Sequence, residues 1–160
     1  MKTAIEKISE AQRLAPVDVI RLAEDLGVRV NETFLDGEIS GELVRNSNGG
    51  FEINVNASHA PTRQRFTVAH ELGHFLQHRD LIGDGLDDDR AYRSTQSGRY
   101  FNTRIGPRQE TQANQFAASL LMPSHLIERL RNEGLDRREM AARLGVSEHA
   151  MAIRLGEPYP

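Results

Sequence analysis

The sequence predicts an α+β fold on three observations: helical periodicity at both ends of the chain, a turn-punctuated stretch of alternating residues after the first helices, and one largely apolar helix that nevertheless carries histidines. In residues 3–27, Ile5, Ile8 and Leu14, then Val19, Ile20, Leu22, Ala23 and Leu26 recur at helical spacing. Pro16 divides this stretch into two helices, and Gly27 suits the position just past a helix end. Residues 28–56 change to β character, with alternation around Asp36-Gly37 and around the turn Asn46-Ser47-Asn48-Gly49-Gly50. Phe51, Ile53 and Val55 alternate as a half-buried strand does. These hairpin signals predict a small antiparallel sheet of about three strands.

Pro61 is well placed in a first helical turn and opens a helix running to about residue 78. Phe66, Val68, Ala69, Leu72, Phe75 and Leu76 cover most of its circumference, so His70, Glu71 and His74 lie in a mostly buried helix. Residues 79–107 lose the pattern and read as a long functional loop whose acidic run, Asp87-Asp88-Asp89, lacks calcium-loop spacing. The next helix, 108–122, carries Ala113, Phe116, Ala117, Leu120 and Leu121 on one stripe and stops at Pro123. Short helices are expected over 124–132, over 136–144 with Asp136 and Glu139 as a capping pair, and over 147–155, the last two joined by Gly145-Val146-Ser147. The expected division is a core over 1–123 and a helical subdomain over 124–160.

Composition removes several function classes. A chain of 160 residues with 38% hydrophobic and 27% charged residues is long enough to bury a core without staples. It has no cysteine, which excludes disulfides, thiolate metal sites and a cysteine nucleophile, so any metal must be held by nitrogen and oxygen. The net charge of -3 supplies no positive field for gathering phosphates. No apolar run approaches the roughly 18 residues of a membrane helix. Met1 to Glu10 carries charges where a signal peptide needs an apolar core, so a cytoplasmic location is expected.

His70-Glu71-Leu72-Gly73-His74 is an H-E-x-x-H motif in a predicted helix. Residues four apart share a helix face, so both imidazoles can reach one ion while Glu71 stands beside its open position. The bland alternative is a pair of buried histidines satisfied by backbone groups. A catalytic zinc needs a third protein ligand, and Glu110, on the face of the following helix that carries Ala113, Asn114 and Ala117, is the candidate. Asn114 is placed one turn later to orient a ligand histidine. Equally, Glu110 can be a first-turn glutamate held by the helix dipole. His78, two turns after His70, reads either as a neighbour of the site or as a helix-end histidine on the dipole, the second being the simpler account.

The blocks Arg63-Gln64-Arg65-Phe66-Thr67-Val68-Ala69-His70-Glu71-Leu72-Gly73-His74-Phe75 and Glu110 to Pro123 closely resemble the ImmA/IrrE family of metallopeptidases. A weaker match runs upstream through Ile39-Ser40-Gly41 and Ile53-Asn54-Val55-Asn56. The resemblance implies a zincin-like α+β core, with His70, His74 and Glu110 as zinc ligands and Glu71 as the catalytic glutamate. It also implies a substrate class, helix-turn-helix repressors of the XRE type, whose cleavage relieves repression of stress-response, mobile-element or toxin-antitoxin genes. Nitrogen and carboxylate donors suit Zn2+ and also accept Mn2+ or other first-row ions. For the group that stabilises the developing oxyanion, Tyr92, Tyr100 and His125 are available and none is assigned.

The tail resembles a helix-turn-helix in the placing of Ala141, Leu144, Gly145-Val146-Ser147, Ala150 and Leu155. Its second helix offers Glu148, His149 and a single arginine, Arg154, which equips it better for packing or partner docking than for DNA. DNA binding remains the rival function, and a metal-containing binding module with little catalysis the third.

Overall fold

The computed structural model describes residues 1–87 and 104–159. Tyr92, Tyr100 and the Asp88-Asp89 part of the acidic run lie outside them. Two short helices, α1 (Ala4–Ala11) and α2 (Val19–Asp25), are capped by the side chains of Thr3 and Asp18, which accept from backbone N–H groups of the first turn. Gly27 follows α2 with φ +88°, in the region glycine enters without a Cβ penalty. Then come β1 (Val28–Thr33), β2 (Gly41–Arg45) and β3 (Phe51–Asn56).

The sheet corrects the all-antiparallel expectation. Among the described residues it has four strands in the order β1-β3-β2-β4, the last being the short β4 (Gly85–Asp87). β2 and β3 form the expected hairpin, closed by Asn46 and Gly50, but β1 pairs with β3 in parallel, Val30 opposite Ile53. Pairing of this kind is set by a crossover, not by a turn signal. Buried Asn56 holds that crossover: its Nδ2 donates to the carbonyls of Leu35, Asp36 and Ile39 at 2.9–3.2 Å. The connection brings Ser40 to the rim of the site.

Across the core face of the sheet lies α3 (Pro61–Gln77), in which every residue from Thr67 to Phe75 is buried. Val68, Ala69, Leu72 and Phe75 share one core cluster with Leu43, Ile53 and Val55 of the sheet and Leu22 of α2. The expected loop over 79–107 is partly structured, since α4 (Arg79–Ile82) and β4 fall inside it. The chain then forms α5 (Pro107–Leu121), α6 (Ser124–Asn132), α7 (Arg137–Leu144) and α8 (Glu148–Leu155). The capping pair of α7 forms in both directions between Asp136 and Glu139.

Helices α3 and α5 approach closely at Gly73, where a Cβ would stand 3.1 Å from Phe116 Cδ1 and 3.2 Å from Ala113 Cα. Gly73→Ala is therefore expected to destabilise the protein by roughly 1 kcal/mol. Overpacking at about 1–3 kcal/mol outweighs the helix-propensity gain of about 1 kcal/mol. Thermal unfolding of the variant checks this, and a raised midpoint contradicts it.

Candidate metal centre

Three helical turns create the site. On α3, His70 and His74 are one turn apart on the same face, and their Nε2 atoms are 3.1 Å from each other. From α5, Glu110 enters in the first turn and places Oε1 2.5 Å from His74 Nε2 and 3.4 Å from His70 Nε2. All three residues are buried. Glu110 thus stands in the first turn of α5, where the helix dipole favours a carboxylate, and faces the histidines from a buried position.

Glu71, also fully buried, joins His70 and His74 in a group whose ligand-type atoms all lie within 4.8 Å of one another. Two carboxylates thus flank the histidine pair. A buried carboxylate is costly unless a cation or hydrogen-bond donors compensate it.

Two imidazole nitrogens and a carboxylate oxygen converging in a water-poor place form a donor set that a first-row divalent ion accepts. Ligand atoms around a tetrahedral zinc stand roughly 3.3 Å apart for bonds of about 2.0–2.1 Å. The separations of His70 Nε2 from His74 Nε2 and from Glu110 Oε1, 3.1 and 3.4 Å, match that spacing, while His74 Nε2 and Glu110 Oε1 stand closer, at a hydrogen-bond distance of 2.5 Å. The residues present therefore fit a metal ion.

The other ring nitrogens are engaged. His70 Nδ1 is 2.7 Å from Asn114 Oδ1, the contact expected of Asn114. His74 Nδ1 is 2.9 Å from His78 Nδ1, and His78 Nε2 is 2.7 Å from Gln112 Oε1. His78 thus stands at the end of α3, as its C-cap, and is buried beside the cluster. Gln112 lay off the apolar stripe of its helix, and no sequence signal pointed to it. His125, one of the oxyanion candidates, is tied to the Gln12 carbonyl at 2.8 Å and does not line the cleft.

A cleft of about 440 Å³ opens onto His70, Glu110 and Asn114. One wall is α3 with Arg63 and Phe66; the facing wall is Val146 and Ser147 of the turn and His149, Ala150 and Ile153 of α8. His74 and Glu71 stand behind its floor, with no exposed surface. The C-terminal segment α7–α8 is therefore part of the cleft. Arg65 fixes it there, donating from Nε to the Gly145 carbonyl and from Nη2 to the Leu144 carbonyl at 3.1 and 3.2 Å. These are the last carbonyls of α7, which lack helical partners. Burial lowers the Arg65 pKa, and Asp18 partly opposes that shift.

Arg65→Met is expected to remove about 2 kcal/mol of stability by deleting these charge-assisted bonds. The same change is expected to loosen the α7–α8 wall. Urea unfolding and amide hydrogen exchange of α7 and α8 in one variant read both effects, and unchanged exchange there counts against the wall.

Arg154, the single arginine of α8, is engaged inside the molecule, donating to the Met122 carbonyl and to Ser124 Oγ, both at 3.0 Å. Of the other α8 residues, His149, Ala150 and Ile153 line the cleft. Among the described residues no helix is long and apolar enough to cross a membrane.

Residues 23–156 match the IrrE N-terminal-like domain family of peptidases. The chain belongs to this ImmA/IrrE metallopeptidase family. Similar relatives of this family are the radiation response metalloproteases IrrE of Deinococcus radiodurans, 36% identical over 112 residues, and of Deinococcus deserti, 38% identical over 109 residues. Those stretches cover 68% and 66% of this chain but 31% and 36% of the two relatives, so the chain spans about a third of their length. A transcriptional regulator of Mycobacterium tuberculosis shares the fold with a TM-score of 0.63 at 20% identity, over 96% of this chain and 45% of that one. The buried His70-Glu71-His74 group fits the divalent metal that an ImmA/IrrE peptidase implies.

Proposed function

We propose that this chain is a zinc-dependent endopeptidase that cuts a helix-turn-helix repressor of the XRE type, and so relieves repression of the genes that repressor holds. The observation that carries the hydrolytic part is the convergence of His70 Nε2, His74 Nε2 and Glu110 Oε1 at the floor of the cleft, with Glu71 beside them. The metalloprotease names of the relatives support the same reaction class. The repressor as substrate rests on the family resemblance.

In this reading His70, His74 and Glu110 hold the ion and Asn114 orients His70 by accepting from its Nδ1–H. When bound there, a zinc ion acidifies a water and polarises the scissile carbonyl. Glu71 acts as general base, taking a proton from the attacking water onto its carboxylate. The same carboxylate then delivers that proton to the amine leaving group, which completes the cleavage. The walls from α3 and α8 hold the peptide across the floor and exclude bulk water. Engagement of Arg137 and Arg154 in intramolecular bonds favours this use of the tail over DNA contact.

A substrate trap tests the proposal. Glu71→Gln protein is used as bait in lysate of its own host beside wild type, and captured partners and new peptide termini are read by mass spectrometry. Capture of an XRE-type repressor that only the wild type cuts is the expected result. A captured partner that stays intact with metal-loaded wild type overturns the peptidase assignment and favours a binding module.

A further inference from the structure

We infer that His78 is a positioning residue: through a buried relay ending at Gln112, it holds His74 in the tautomer that presents a lone pair at Nε2. This inference rests on the reading of His74 as a metal ligand. His78 caps the C-terminus of α3, its N–H donating to the His74 carbonyl at 2.7 Å. Its ring turns inward and is 6% exposed, so both nitrogens must find partners within the protein. Both do: Nδ1 meets His74 Nδ1 at 2.9 Å, and Nε2 meets Gln112 Oε1 at 2.7 Å.

With an ion held at His74 Nε2, proton accounting gives the relay a direction. A neutral imidazole carries one N–H and one lone pair, and a close Nδ1···Nδ1 contact needs one of each. If the proton is on His74 Nδ1, His78 Nδ1 accepts, the proton of His78 is on Nε2, and the Gln112 carbonyl oxygen accepts it. His74 Nε2 is then bare and faces Glu110 and His70. In the reverse setting His78 Nδ1 donates, His74 carries its proton on Nε2, and His78 Nε2 turns a lone pair towards the Gln112 oxygen, so two acceptors meet at 2.7 Å. Each setting leaves one pair of acceptors facing each other in the metal-free site: the reverse at Gln112, relieved by turning its amide, and the first between His74 Nε2 and Glu110 Oε1 at 2.5 Å, relieved by an ion between them. Only the first leaves a ligand atom free of hydrogen. Helix α5 thus supplies an acceptor to each ligand histidine, Asn114 directly to His70 and Gln112 through His78 to His74. Partners of this outer kind are worth about 10–100-fold in metal affinity.

The test uses full-length wild type, His78→Phe, which keeps a ring but accepts nothing, and His78→Asn, whose Oδ1 can accept in place of Nδ1. Zn2+ affinity is measured by competition with a chromophoric chelator, and the stability of each metal-free protein by urea unfolding. His78→Phe is expected to raise the Zn2+ dissociation constant about 10–100-fold, with His78→Asn restoring it to within about threefold. Long-range 1H–15N spectra of the zinc-loaded wild type are expected to show the His74 proton on Nδ1 and the His78 proton on Nε2. A purely structural His78 would lower metal-free stability in the variants and leave the dissociation constant unmoved, which overturns the relay. So does a His74 without a proton on Nδ1 in the wild-type spectrum, a measurement that holds even if His78→Phe fails to fold. Failure of the wild type to take up Zn2+ is a different result, overturning the metal-site reading and the relay together.

Discussion

Glutamine in place of Glu71 is expected to lower kcat about 100- to 10,000-fold while leaving metal affinity unchanged. That range is what a positioned proton-transfer group contributes to a hydrolysis. Glu71 has no exposed surface, and Gln keeps its length and shape, so the fold has no steric reason to respond. Removing a charge from so buried a position also lowers a desolvation cost, and the variant is expected to be at least as stable as wild type. The experiment separates the two carboxylates of the site. If Glu110 is the ligand and Glu71 the base, Glu71→Gln binds Zn2+ normally and cleaves nothing measurable, as read by chelator competition and by a quenched-fluorescence peptide assay. Undiminished cleavage by purified Glu71→Gln protein would remove the mechanism, and lost metal with lost cleavage would move Glu71 into the ligand set.

His74→Ala is expected to have the largest effect on the molecule as a whole. His74 is in contact with His70, Glu110 and His78 at once, in a place closed to solvent. Truncation leaves a cavity among polar groups and takes a neighbour from a buried carboxylate, at a cost of about 3 kcal/mol. Metal linkage provides the sharper readout. A ligand present at 100 times its dissociation constant stabilises the folded state by about 2.7 kcal/mol. Wild type should therefore melt at a higher temperature with Zn2+ than after chelation, and His74→Ala should melt at one temperature under both conditions. A zinc-dependent rise in the variant equal to that of wild type would show that the ion is held elsewhere.

Much of this site was legible before any coordinates. The histidines at 70 and 74 share a helix face by the pitch of the helix alone, and the apolar residues around them showed that the face is buried. Glu110 and Asn114 were placed together by the same four-residue spacing on the following helix. The helix ends were equally local, as Pro123, Asp136, Ser147 and Gly145 each act on the backbone within four residues. What went unread was set by contacts between segments far apart in the chain. Arg65 and the Leu144 carbonyl are 79 residues apart, and His78 and Gln112 are 34 apart, with neither partner on an apolar stripe. The parallel pairing of β1 with β3 escaped for a related reason. The alternation of Phe51, Ile53 and Val55 shows which face is buried but is the same for either strand direction.

The sequence by itself determined the elements that depend on neighbours along the chain: the helical turns, their caps, the β2–β3 hairpin and the histidine pair one turn apart. Tertiary structure alone decided that Glu110 reaches that pair, that His78 turns inward to a glutamine on another helix, and that the C-terminal helices become a wall of the cleft. The physical reason is one of range. Backbone hydrogen bonding and side-chain periodicity act within a few residues, so a sequence displays them openly. A hydrogen bond or packing contact between distant segments exists only when the whole core has formed, and nothing in either segment alone records its partner.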